Sequence, residues 1–143
     1  FVFSGISLAS IAISRLASLQ YLYNPKIYLF DRIKPNAYGR EEKVKWLSDI
    51  DMQIYEEIIK THIGDERIFN GYDGDTDING TELLAQNPYD ELYIHGLKRQ
   101  IDLNNEEYSK YNNDCLLFNS VYTNFYDWYN RKYISKGEAA FIL

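Results

Sequence analysis

From Ile94 to Tyr129 one set of side chains returns at alternating steps of three and four. The set is Ile94, Leu97, Ile101, Asn104, Tyr108, Tyr111, Cys115, Phe118, Tyr122, Phe125 and Tyr129, and only Asn104 interrupts its apolar character. Such a rhythm keeps its members on one stripe of a helix, whereas a strand alternates faces with a period of two. The last third of the chain is therefore predicted as one long helix with a kink near Asn104, because the seam keeps phase across that residue. Asn104 with Glu107 three positions on has the spacing of a capping box, so two helices are the other arrangement. Pro88 suits the first turn of this helix, where an N–H is unpaired anyway. Gly96 inside it costs about 1 kcal/mol against Ala. The seam is aromatic rather than leucine-rich. It reads as the core of the domain, and a seam between chains is the alternative.

Upstream, Asp31-Arg-Ile-Lys-Pro-Asn36 reads as the end of a short helix, since Pro35 disfavours helix at Lys34. A medium helix is predicted from about Arg40 to His62, with Val44, Leu47, Ile54 and Ile58 as its apolar stripe. Glu41 and Glu42 sit in its first turn, where the helix dipole favours anions. Glu41–Lys45 and Glu56–Lys60 are i,i+4 pairs in the favourable order. A long acidic loop follows, from Ile63 to Asn87, and a loop of that length tends to be functional or mobile. The chain ends in Gly137-Glu-Ala-Ala-Phe-Ile-Leu143, predicted as an extended tail. The expected fold class is all-α: a helical bundle of one short helix, one medium helix and a long C-terminal helix.

Composition narrows the function. The 143 residues fit one domain, which buries enough surface to need no disulfide or metal. Eight Gly and three Pro leave few tight turns, against a many-stranded sandwich. One Cys and two His fall short of a Cys/His zinc site. A net charge of -6 lacks the basic footprint of a nucleic-acid binder. Tyr is abundant, with 14 copies, which reflects either AT-rich coding or a large aromatic interface. Residues 1–13 are uncharged and apolar, too short to span a bilayer and without the basic start of a signal peptide. They read as an added packed element or an upstream extension of the reading frame, with signal or membrane attachment as the alternative. Residues 1–25 are thus an unassigned apolar extension, and 26–143 a single helical domain.

Few motifs could carry chemistry. Asp75-Thr-Asp77-Ile-Asn79-Gly80 matches the first six positions of a calcium loop, but Gln86 stands where a bidentate Glu is needed, and Glu82 takes the usually aliphatic eighth position. The loop is expected to bind no metal tightly, and a calcium-regulated helical binding module is kept as the alternative function. His62, His95 and Cys115 show no spacing that ties them into a nucleophilic site. Cys115 falls on the seam and reads as a packed thiol. The carboxylate pairs Asp49/Asp51 and Glu106/Glu107 read as solvated surface. No phosphate loop, dinucleotide fingerprint or zinc-protease motif is present, so no enzyme and no cofactor are expected.

An ordered set of short segments resembles a known family. They run Asp31-Arg-Ile-Lys-Pro-Asn-Ala-Tyr38, Trp46-Leu47, Asp75-Thr-Asp77 and Glu82-Leu-Leu84. Pro88-Tyr-Asp90 with Tyr93, Gln100-Ile-Asp102, Tyr111-Asn-Asn113, Phe118-Asn119 and Asn130-Arg131 complete it. Over residues 27–143 the chain is similar to small head–tail connector (adaptor) proteins of phages that infect Gram-positive bacteria. The resemblance implies a helical subunit that forms a ring between portal and tail, with a tunnel for DNA. Its partners would be the portal protein, tail or stopper proteins and further copies of itself, with no sequence-specific nucleic-acid binding and no membrane. Its place would be the virion neck, and the host cytoplasm during assembly. Apart from that resemblance, the apolar tip Phe141, Ile142 and Leu143 needs a surface to cover it. With Arg131, Lys132 and Lys136 before it, the tip is the expected partner-binding segment, and folding back on its own domain is the alternative.

Overall fold

A computed structural model describes residues 30–74, 76 and 82–137. The chain divides into two units, one of residues 36–76 with 82–143 and one of 1–35 with 77–81. In the second unit the described residues are 30–35. Residues 30–33 are helical, and the Lys34 N–H closes that turn on the Phe30 carbonyl at 2.8 Å, so the helix stops just before Pro35 as the sequence predicts. The N-terminal extension 1–25 and the tail residues 138–143 lie outside the described residues.

The larger unit is all-α, as expected. Helix α1 spans Arg40–Glu57, α2 Glu91–Asn104 and α3 Tyr108–Lys132. Two strands of two residues, β1 (His62–Ile63) and β2 (Ile134–Ser135), pair antiparallel with His62 opposite Ser135 and Ile63 opposite Ile134. At the start of α1 the Glu42 carboxylate accepts the Gly39 N–H at 3.1 Å, and Glu41 and Glu42 face the positive end of the dipole. The stripe Val44, Leu47, Ile54 and Ile58 is buried, joined by Ile50. Glu56 and Lys60 form their pair at 2.9 Å.

Helix α1 ends at Glu57 rather than near His62. The side chains that follow compete for its last carbonyls. Thr61 Oγ1 donates to the Ile58 carbonyl at 2.8 Å, and His62 Nδ1 lies 2.7 Å from the same oxygen. The chain tightens into a 3-10 turn at Ile59–Thr61 and leaves as β1.

The long seam is divided between two helices rather than carried by one kinked helix. Helix α2 ends with Asn105 N–H on the Ile101 carbonyl (2.9 Å), Glu106 N–H on Leu103 (3.1 Å) and Glu107 N–H on Asp102 (2.8 Å). Glu106 sits at φ 60°. Those bonds and that left-handed residue make a Schellman turn, which satisfies the end carbonyls and reverses the chain. Glu107 therefore precedes α3, and the capping box suggested by Asn104 does not form. Pro88 also lies upstream of its helix: the Asn87–Pro88 bond is cis, a turn follows, and α2 begins at Glu91.

Helices α2 and α3 pack as an antiparallel hairpin, with α1 against α2. Leu97, Ile101, Phe118, Phe125 and Tyr129 are buried, so this part of the seam is core within the subunit, while Ile94, Tyr111, Cys115 and Tyr122 are half-buried and Asn104 and Tyr108 beside the turn are exposed. Gly96 sits at the closest approach, since a Cβ there would come within 2.4 Å of Ile50 Cδ1 and 3.4 Å of Phe118 Cε2. The Arg99 guanidinium lies over the Phe118 ring at 3.9 Å from its centre. The Tyr38 hydroxyl donates to Asn105 Oδ1 at 2.7 Å, which ties the entry of α1 to the hairpin turn.

Candidate functional site

The loop between β1 and α2 is anchored by one buried acid. Asp51 on α1 is fully buried, and its carboxylate accepts the Tyr72 hydroxyl at 2.5 Å, the Tyr93 hydroxyl at 2.5 Å and the Leu84 N–H at 3.3 Å. Tyr93 in turn accepts the Ala85 N–H at 2.8 Å, and Ser48 Oγ accepts the Tyr72 N–H at 2.9 Å. The sequence reading of Asp51 as solvated surface is overturned. It lies on the buried stripe one residue past Ile50, and hydroxyls from two other segments satisfy its charge. Asp49 and Glu106 are exposed, as expected. Burial, then the Asp51 charge, pushes the hydroxyl pKa of both Tyr72 and Tyr93 far up.

At the far end of α3 a second cluster surrounds a cavity of about 310 Å³. Tyr89, Phe125 and Trp128 form its aromatic wall, with ring centres 5.6 to 5.8 Å apart and planes tilted by 29° to 61°. Arg67, Lys132 and Tyr133 line the side toward the strands. Lys132 Nζ stands 5.0 Å from the Trp128 ring centre and 5.5 Å from that of Tyr133, a cation on aromatic faces. Arg67 reaches Asp65 through Nε at 3.0 Å and Nη2 at 2.8 Å, and the Leu84 carbonyl through Nη1 at 3.1 Å. Tyr129 adds its hydroxyl to Asp65 at 2.8 Å. Burial alone would raise the Asp65 carboxyl, and the bonds from Arg67 and Tyr129 outweigh it and hold it below its usual range. Among the described residues no acidic side chain lines the cavity and none pairs with Lys132.

The outward face of α3 is unusual in another way. From Asn112 to Tyr126 the one charged residue is Asp114, and it is buried. Its exposed side chains there are Asn, Ser, Thr and Tyr, with Leu116 70% exposed and Leu117 41% exposed. A solvated helix face in a chain that is 25% charged normally carries ions, and their depletion is a property of interface cores.

The expected partner-binding residues divide. Arg131, Lys132 and Lys136 are exposed around the end of α3, and Lys132 enters the cavity wall. Phe141, Ile142 and Leu143 lie outside the described residues, as do Asp75, Asp77, Asn79 and Gly80 of the calcium-like motif. Lys136 and Gly137 are helical in backbone, so the extended conformation predicted for the tail does not hold at its first residue. Glu82 and Gln86, later in that motif, bond each other at 2.9 Å.

His62 is buried with Nε2 at 2.5 Å from Asn130 Oδ1, which ties β1 to α3. His95 is half-buried; burial, then Lys98, lowers its imidazole pKa, and its Nδ1 has no hydrogen-bond partner. Cys115 is half-buried beside Tyr111. These three residues hold different places and form no common site. The cavity residues Arg67, Tyr89, Trp128 and Tyr133 were not singled out from sequence. Trp128 and Lys132, four apart near a helix end, were the local signal for them. No family model, curated protein or solved structure matches the chain.

Proposed function

We propose that this chain is a structural virion protein, a head–tail connector whose copies form a ring between portal and tail through which DNA passes. The ordered resemblance over residues 27–143 supports the connector assignment, and the all-α subunit agrees with it. The observation that carries the ring is the charge-free outer face of α3. Copies of a chain with net charge -6 repel one another. A contact between them is favourable only where no like charges meet, and the stretch from Asn112 to Tyr126 is such a place. A head-to-tail contact that uses it on one side closes into a ring when the rotation per copy allows. An acidic subunit also leaves the phosphates of passing DNA ungripped, since each neutralised phosphate adds affinity.

Mass measurement of the full chain mixed with the portal protein of the same virus tests the reading. A stoichiometry matching the portal ring is expected, and one or two copies per ring would reject it. Asn119→Glu places a charge on the exposed face and should abolish the ring. It should change stability by less than about 0.5 kcal/mol, as exposed substitutions do.

A further inference from the structure

The cavity at the end of α3 borders the core at Phe125 and Leu84 and opens away from it, and three observations say what it can hold. Its wall offers the Trp128 ring with Tyr89 tilted beside it, an aromatic surface. Its polar side offers cations with donors to spare. Lys132 has no carboxylate partner among the described residues, and Arg67 keeps one N–H on Nη1 and one on Nη2 without an acceptor there. The same end of the unit carries exposed isoleucines: Ile68, next to Arg67, is 77% exposed, and the ladder partners Ile63 and Ile134 are each about half exposed. A small metabolite in the cavity would leave those isoleucines in water, whereas a protein surface would cover them.

We propose that this cavity, with the exposed isoleucines that neighbour its lining residues in the chain and the ladder, docks a segment of another protein in which an acidic residue adjoins an aromatic one. The aromatic side chain stacks on Trp128, and the carboxylate sits between Lys132 and Arg67. Charge complementarity favours this occupant: the lining holds Arg67, already paired with Asp65, and Lys132, whose charge no acid of the lining meets, in a chain of net charge -6, so an acidic segment finds the lining's one unopposed cation here. The cavity volume of about 310 Å³ is at the small end for ligand sites, which suits one large side chain and its neighbour. The proposal is independent of the ring, because it concerns the free subunit.

Nuclear magnetic resonance on the full-length free chain tests it. Trp46 and Trp128 give two indole N–H signals, and Trp46 packs on Tyr38 as an internal control. The probe is a capped Gly-Glu-Phe-Glu-Gly peptide, compared with Gly-Lys-Phe-Lys-Gly and with phenylacetate. The acidic peptide should move the Trp128 signal and leave that of Trp46 in place. Lys132→Gln should weaken it about fivefold, the effect of one exposed charge pair, and Lys132→Arg should stay within about twofold. Lys132→Glu should favour the lysine peptide instead. The idea fails if millimolar acidic peptide leaves Trp128 unmoved, or if the lysine peptide binds the unmodified chain equally well. Phenylacetate binding as tightly as the acidic peptide would make this a small-molecule site and overturn the protein partner.

Discussion

Tyr93 donates its hydroxyl to Asp51 at 2.5 Å across 42 residues of chain, and both side chains are buried. Removing that hydroxyl takes a donor from a buried carboxylate and leaves the Ala85 N–H unpaired. Tyr93→Phe should therefore cost about 2–3 kcal/mol, near the upper range for an unsatisfied buried group. Tyr72→Phe removes a bond that is partly open to water and should cost about 1 kcal/mol. Urea denaturation distinguishes them. Equal, small losses would mean that water reaches Asp51 and that the loop is not anchored there.

The same tyrosines set an alkaline limit. Burial first, then the facing carboxylates Asp51, Glu57 and Asp65, raises the pKa of Tyr72, Tyr93, Tyr122 and Tyr129 above the ordinary tyrosine value near 10. The unfolded chain ionises these hydroxyls first. Their contribution is whole below pH about 10 and is lost as pH climbs toward the folded-state values, by up to about 1.4 kcal/mol per pH unit for a fully buried tyrosine such as Tyr93. The partly exposed Tyr72 and Tyr122 contribute less. Melting curves from pH 8 to 11 should show the fall, and Tyr93→Phe should flatten it. A pH-independent melt across that range would contradict the burial of these hydroxyls.

At Gly96 two effects oppose each other. Alanine would gain about 1 kcal/mol of helix propensity, while overpacking a tight core costs about 1–3 kcal/mol. The atom a new Cβ would meet, Ile50 Cδ1, is a side-chain tip, but Ile50 is buried and has little room to turn, so Gly96→Ala should destabilise by about 1 kcal/mol. Ile50→Val deletes the clashing methyl, and in the double variant the new Cβ fills the space it leaves. The double variant should be more stable than the sum of the singles by about 1 kcal/mol. Additive losses would show that α1 and α2 separate there instead.

Glu106 occupies a left-handed position that a glycine adopts without a Cβ penalty. Glu106→Gly should raise stability by up to about 1 kcal/mol, with unchanged far-ultraviolet circular dichroism. A loss in thermal melting would show that the Glu side chain contributes more than its backbone strain takes away.

Periodicity made the helices legible, because Val44, Leu47, Leu97, Ile101, Phe118 and Phe125 each report a local face. It could not reveal the break after Asn104. A heptad count is blind to a reversal when both arms of the hairpin contribute to the same core. Asp51 was illegible for a related reason: its charge argued for water, and the hydroxyls that satisfy it come from Tyr72 and Tyr93, distant in sequence. Lys132 was legible as an exposed cation near the chain end. Arg67 and Tyr89, which complete its cavity, come from the loop, where no periodicity operates.

The tie between His62 and Asn130 joins residues 68 apart, next to a ladder of only two residues per strand. Closing a loop of that length takes about 4 kcal/mol of chain entropy, against the few bonds gained there. The α2–α3 hairpin needs only its three-residue turn. That imbalance means the two-residue ladder holds only while the packed helices keep its ends together, so it is the part of the unit expected to open first. The cavity lies beside that ladder, with Arg67 following β1 and Tyr133 preceding β2, so fraying of the ladder would open the cavity while the helices stay packed.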